Sequence, residues 1–265
     1  MATVTERVRA PAVAGLFYPN NARELKSTLA GYLAGVKDTG PAPKAIIAPH
    51  AGYIYSGPIA ASVYARIASA RATIRRVVLL GPSHRVGFRG LALSSADYFD
   101  TPLGRVRLDR AAIAAIRDLP QVIELDRAHA QEHSLEVQLP FLQQVLDEFT
   151  LVPLAVGEAE PHEVAEVLER LWGGPETLIV ISSDLSHYHD YAVAQKLDQA
   201  TSKAIEALDP GAIGYDQACG RIPVNGLLTI ARKKRLHAHT VDLRNSGDTA
   251  GARDHVVGYG AYVFE

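Results

Sequence analysis

The chain has 265 residues, 48% of them hydrophobic, with a formal net charge of −2 and a pI near 6.6. That supplies enough apolar material for one large α/β core, and the near-neutral balance gives no electrostatic case for nucleic acid or an anionic membrane. A single cysteine, Cys219, excludes an internal disulfide, and no apolar run approaches the ~20 residues that span a bilayer.

The opening segment MATVTERVRAPAVAG lacks an apolar core of signal-peptide length, so a cytoplasmic location is expected. Asn21 caps a helix predicted to run to about Ala34. The stretch Asp38–Pro43 (DTGPAP) reads as a short linker. A buried strand, Ala45–Ala48, leads into PHAGYIYSG, and Pro58 sits at the favoured first helical position of IAASVYARIASA. Strand Val77–Leu80 runs into GPSHRVGFRG. Leu91–Ser94 and Gly104–Leu108 read as short antiparallel strands around YFDTP. Asp109 caps an Ala-rich helix. The segment EHSLEVQLPFLQQVLDEF has a helical period but carries Pro140, which kinks or splits it.

Strand Leu151–Val156 precedes a helix with Pro161 near its start, and strand Leu178–Ser182 runs into SSDLSHYHDY. Helices follow over roughly Ala192–Leu208 and Ala218–Lys233. The basic run Arg232, Lys233, Lys234 and Arg235 suits a helix C-terminus. Leu236–Leu243 and Val256–Phe264 close the chain as strands with no helix between them. Strands alternating with amphipathic helices predict one domain over residues 1–265: an α/β fold, a three-layer α/β/α sandwich with a mixed central sheet.

Three of these strands stop at imidazoles or a carboxylate: His50, His84, and the pair Asp184 and His187. Ligands of open α/β sheets bind beyond the carboxyl ends of strands, so the three ends point to one convergent site. GPSH is not a phosphate loop, because it lacks the glycine spacing and the lysine. If SSDLSH turns into a helix, Asp184 and His187 share a face and the carboxylate can orient the imidazole; the alternative is that Asp184 caps that helix. No G-x-S-x-G elbow supports a serine nucleophile. His133 in QEHSLEVQLPF either faces the site as a proton shuttle or lies on a helix surface, and its H-x-x-E spacing is not the H-E-x-x-H of zinc proteases. Cys219 in ACGRIPVNGLL lies near a helix N-terminus, where a thiolate is stabilised. Two imidazoles and one thiolate suit zinc, iron(II) or copper.

Taken together, AGLFYP, APHAGYIYSG, LLGPSH, EHSLEVQLPF, ISSDLSHY and ACGRIPVNGLL resemble the Memo family along most of the chain. The resemblance implies a LigB-like fold, related to class III extradiol dioxygenases that use non-haem iron(II). It places metal ligands on His50, His84 and Cys219, with His133, His187 and Asp184 as acid/base and supporting groups of the same pocket. It implies a non-haem oxidoreductase using O2, with Fe(II) first and copper or zinc as alternatives. Rival expectations are a non-catalytic metal- or peptide-binding scaffold and a zinc hydrolase. The substrate is an unidentified small molecule or peptide, and radical-SAM and AMMECR-type proteins are the implied partners.

Overall fold

The computed structural model describes residues 6–37 and 40–265. Residues 1–5 of the opening segment, and Asp38 and Thr39 of the linker-like stretch, lie outside the described residues. In chain order the elements are β1 (Val8–Arg9), α1 (Ala22–Ala34), β2 (Ala45–Ala48), α2 (Tyr53–Ile67), β3 (Arg76–Pro82), β4 (Leu91–Leu93), β5 (Tyr98–Thr101), β6 (Gly104–Arg107), α3 (Arg110–Ala114), β7 (Val122–Glu124) and α4 (Arg127–Ala130). There follow α5 (Leu139–Val145), β8 (Thr150–Val156), α6 (Pro161–Arg170), β9 (Thr177–Ser182), β10 (His187–His189), α7 (Tyr191–Glu206), α8 (Arg221–Lys234), β11 (Ala238–Asn245) and β12 (Val256–Phe264).

A nine-stranded mixed sheet has the order β10-β12-β2-β9-β3-β8-β4-β7, with β11 paired to β12. Its centre, β2-β9-β3-β8, is parallel. Every residue of β2 and β9 is buried, as expected of strands covered on both faces. The chain crosses from β2 through α2 to β3 in one direction and returns from β8 through α6 to β9 in the other. Right-handed crossovers of opposite direction put their helices on opposite faces. Accordingly α1, α2 and α5 pack on one another, while α6 packs on α8, which also touches β3 and β9. The result is the predicted three-layer arrangement. The closing strands make it mixed: β12 runs antiparallel to both β11 and β2. A small sheet, β1-β5-β6, flanks it. No helix among the described residues is long and apolar enough to cross a membrane.

Several local expectations hold. The Asn21 side chain caps α1 and Asp109 caps α3. Pro140 splits its segment into a 3-10 turn, Glu136–Gln138, and α5. The basic run closes α8, where Lys233 pairs with Glu169 at 2.7 Å.

Others are corrected. Pro58 lies inside α2, which begins five residues earlier at Tyr53. The carbonyl that loses its helical partner there is that of Ile54, a residue 62% exposed to water. The short hairpin is formed by YFDT and GRVR, because Pro102 and Leu103 make the turn between Thr101 and Gly104. Leu91–Leu93 instead joins the main sheet.

Candidate metal centre

Because β2, β9 and β3 are parallel neighbours, their carboxyl ends lie side by side. Pro49-His50, Ser183-Asp184 and Ser83-His84 emerge together there. His133 reaches the same place from the segment between α4 and the turn that precedes α5. The ring centroids of His50 and His84 are 5.2 Å apart, and those of His50 and His133 are 5.4 Å apart. His84 and His133 stack at 4.6 Å. Among the described residues, His50, His84 and His133 offer ligand atoms that all lie within 4.8 Å of one another, so the cluster can hold a metal ion. The ring of Phe17 covers His133 at 4.8 Å.

One carboxylate holds His84 and lies beside His133. Buried Glu132 accepts the backbone N–H of His84 at 2.6 Å through Oε2. Its Oε1 meets His84 Nδ1 at 2.9 Å and the Ser134 N–H at 2.9 Å, and lies 3.5 Å from His133 Nδ1. Burial works to raise the Glu132 pKa, but the hydrogen bond and charge of His84 and the N–H groups of Ser134 and His84 outweigh it and bring it down to about 2. A fixed carboxylate can only accept, so His84 donates from Nδ1 and leaves Nε2 for the site.

Burial, then the neighbouring His84, His133 and His187, holds the His50 pKa well below its ordinary value. Burial also brings His133 down to about 4, against the pull of Glu132. At neutral pH both rings are therefore uncharged, the state in which imidazole binds a metal.

Cys219 stands just ahead of α8, half-buried, with Sγ 3.2 Å from His50 Nε2. The expectation of a stabilised thiolate is corrected. Burial and the negative charge of Asp184 push the thiol up, and the hydrogen bonds that favour the thiolate, including the Gly220 N–H at the start of α8, do not compensate. Asp184 accepts the backbone N–H of His50 at 2.7 Å, and its Oδ2 lies 4.0 Å from His50 Nε2. Burial raises Asp184 to about 7, although the His50 and Ala51 N–H groups and His84 oppose it.

The segment after β9 is extended rather than helical, so Asp184 and His187 do not share a helix face. His187 Nδ1 donates to the Leu185 carbonyl at 2.8 Å, and the carboxylate serves His50 instead. Burial lowers the His187 pKa as well. His50, His84, His133, Cys219 and Asp184 thus come together, with His187 at their border.

Sequence reasoning missed Glu132, Ser182, Gln138 and the anchor beneath them. The H-x-x-E spacing in that segment draws attention to Glu136 rather than Glu132, although a carboxylate directly beside a candidate histidine is itself a signal. Buried Glu136 accepts from Arg9, from the Ala12 and Val13 N–H groups at 2.7 and 3.0 Å, and from Tyr18 at 2.6 Å. This ties the AGLFYP segment to the loop that carries His133. Tyr53, from the PHAGYIYSG segment, is buried and donates to the Val137 carbonyl at 2.6 Å, packed against Phe141.

A family model described as Memo-like protein matches residues 9–263. A MEMO1 family protein of Aquifex aeolicus is 41% identical over 97% of this chain and 99% of its own length. One of Ignicoccus hospitalis is 35% identical over 97% of this chain and 98% of its own. The solved structure of uncharacterized protein JW3007 from Escherichia coli K12 aligns with a TM-score of 0.49 and 11% identity, over 81% of this chain and 98% of that one. The family model spans residues 9–263 and these curated relatives are 35–41% identical over 97% of the chain, so the chain belongs to the Memo family.

Proposed function

We propose that the chain is a metal-dependent oxidoreductase of the non-haem type, acting with O2 on a small-molecule or peptide substrate, with Fe(II) as its metal and copper as the alternative. The observation that carries this is the convergence of His50, His84 and His133 within 4.8 Å, with Cys219 beside His50. Imidazole accommodates either metal, and sulfur adds a soft donor. His50 and His84 belong to the ligand set in every arrangement. Cys219 is the third donor that the family resemblance implies, which leaves His133 for proton transfer; His133 is the third donor that the imidazole cluster offers.

A bound ion would supply the redox chemistry. The chain's own groups would do the rest. Glu132 holds His84 in one orientation. His133, uncharged at neutral pH, can accept a proton, and Asp184 with a pKa of about 7 can give or take one near neutrality. His187 keeps Nε2 unprotonated at the border of the site.

A zinc hydrolase is the second reading, because three histidines are also a catalytic zinc set. Metal analysis of anaerobically purified protein, followed by O2 consumption with Fe(II) or copper restored, separates the two. Metal-dependent O2 uptake is expected. Tight zinc with no redox response would overturn the oxidoreductase.

A further inference from the structure

We propose that Ser182, held by Gln138, is a positioning residue that fixes His50 in the one tautomer a metal requires. The inference rests on the metal-site reading above. Ser182 Oγ lies 2.9 Å from His50 Nδ1, and geometry at that contact alone does not say which group donates. The surrounding hydrogen bonds decide it.

Ser182 Oγ donates to the Ser134 carbonyl at 2.6 Å, and a carbonyl only accepts. A hydroxyl has one proton, so Ser182 has none left for His50. The Gln138 amide is oriented by two further partners. Its Oε1 accepts from Tyr64 Oη at 2.8 Å, and its Nε2 donates to the Pro49 carbonyl at 3.0 Å. The second Nε2 proton goes to Ser182 Oγ at 2.8 Å. With its proton committed and one lone pair taken, Ser182 offers a single lone pair to His50. Nδ1 must therefore carry the proton.

Nε2 is then an acceptor, on the side where Cys219 Sγ lies at 3.2 Å. His50, Tyr64, Ser134, Gln138 and Ser182 are all buried, so water does not offer a substitute partner. Reversing the tautomer would set two lone pairs against each other inside the protein. Gln138 acts twice, because it holds both the carbonyl immediately before His50 and the hydroxyl that receives its proton.

The test is 15N NMR of histidine-labelled, metal-free protein, with Fe(II) and Zn(II) titrations alongside. Wild type should show His50 with Nδ1 protonated and Nε2 bare. Ser182→Ala should give mixed tautomers at His50 and weaken both metals by about 10- to 100-fold. Ser182→Thr, which keeps the hydroxyl, should restore the single tautomer. A wild-type His50 protonated at Nε2 overturns the inference with no variant needed. A folded Ser182→Ala that keeps the wild-type tautomer and binds metal within about twofold overturns it as well. Wild type that binds neither metal would sink the metal-site reading, while the tautomer result would still judge Ser182.

Discussion

Cys219 Sγ lies 3.2 Å from His50 Nε2, across 169 residues of sequence. Burial and Asp184 favour the protonated thiol, and in the tautomer proposed above the imidazole nitrogen can accept its hydrogen bond. A metal taking both donors must displace the proton. Apparent Fe(II) or Zn(II) affinity should then rise about tenfold per pH unit while one proton is released. The Cys219→Ala protein should lose both the proton release and, with Cu(II), the visible thiolate-to-copper absorption. Titration in two buffers of different ionisation enthalpy measures the release. Unchanged affinity and proton count in Cys219→Ala would leave His133 as the third ligand.

Glu132 holds His84 by two hydrogen bonds, so its chemistry should be read out in metal affinity. Glu132→Gln keeps the shape but turns a donor toward groups that already donate: the His84 and Ser134 N–H groups and His84 Nδ1. Metal binding should weaken about 10- to 100-fold. Calorimetric titration checks this, and a change below about twofold would show that His84 is held by packing alone.

Arg9 and Glu136 form a buried ion pair under the His133 loop, with side chains 7% and 0% exposed. Glu136→Ala leaves the guanidinium, Tyr18 and two N–H groups without their acceptor. The expected loss is about 3–5 kcal/mol, seen as a lower urea midpoint. Glu136→Gln keeps part of the network and should lose less.

Acid should destabilise the fold before it protonates surface carboxylates. Burial above all brings His129 to about 4 in the folded chain, against an ordinary value of 6.5. Between those values the unfolded chain binds more protons, so stability is full above about 6.5 and falls as pH drops toward 4. His129 alone accounts for about 3 kcal/mol. His50, His133 and His187 act in the same direction. Asp184, raised to about 7, opposes them, because its folded form binds the extra proton from about 3.8 upward. Urea unfolding from pH 7 to 4.5 should show falling stability, with a shallower slope in His129→Gln.

Gly220 seats the Cys219 turn on the end of β9. A Cβ there would meet the Ser183 side chain at 2.6 Å and the Ser182 carbonyl at 2.8 Å. Gly220→Ala should displace Cys219 and weaken metal binding, while a substitution at Gly52, where a Cβ meets nothing closer than 3.7 Å, should not. Equal affinity in the two variants would count against a metal-facing Cys219.

Much of the fold was legible because its signals are local. The cap at Asn21, the buried run Ala45–Ala48 and the break at Pro140 each depend on a few neighbouring residues. Pro58 misled because the same residue type starts helices and is tolerated inside them, and the choice depends on where Phe17 and Gly52 place the first turn. The SSDLSH segment misled for a similar reason. A serine-aspartate run caps helices well, yet here β12 recruits the following residues into a strand.

At the site, the sequence alone determined which strands end in chemistry: His50, His84 and Asp184 stand at carboxyl ends that hydrophobic runs mark out. Only the tertiary structure decided how they are shared. It placed His133 in the imidazole cluster, gave His84 to Glu132 and His50 to Ser182, and set the Cys219 sulfur beside His50. Those outcomes turn on burial and on which single lone pair or proton remains free. Both are properties of packed neighbours distant in sequence, and no run of adjacent residues encodes them.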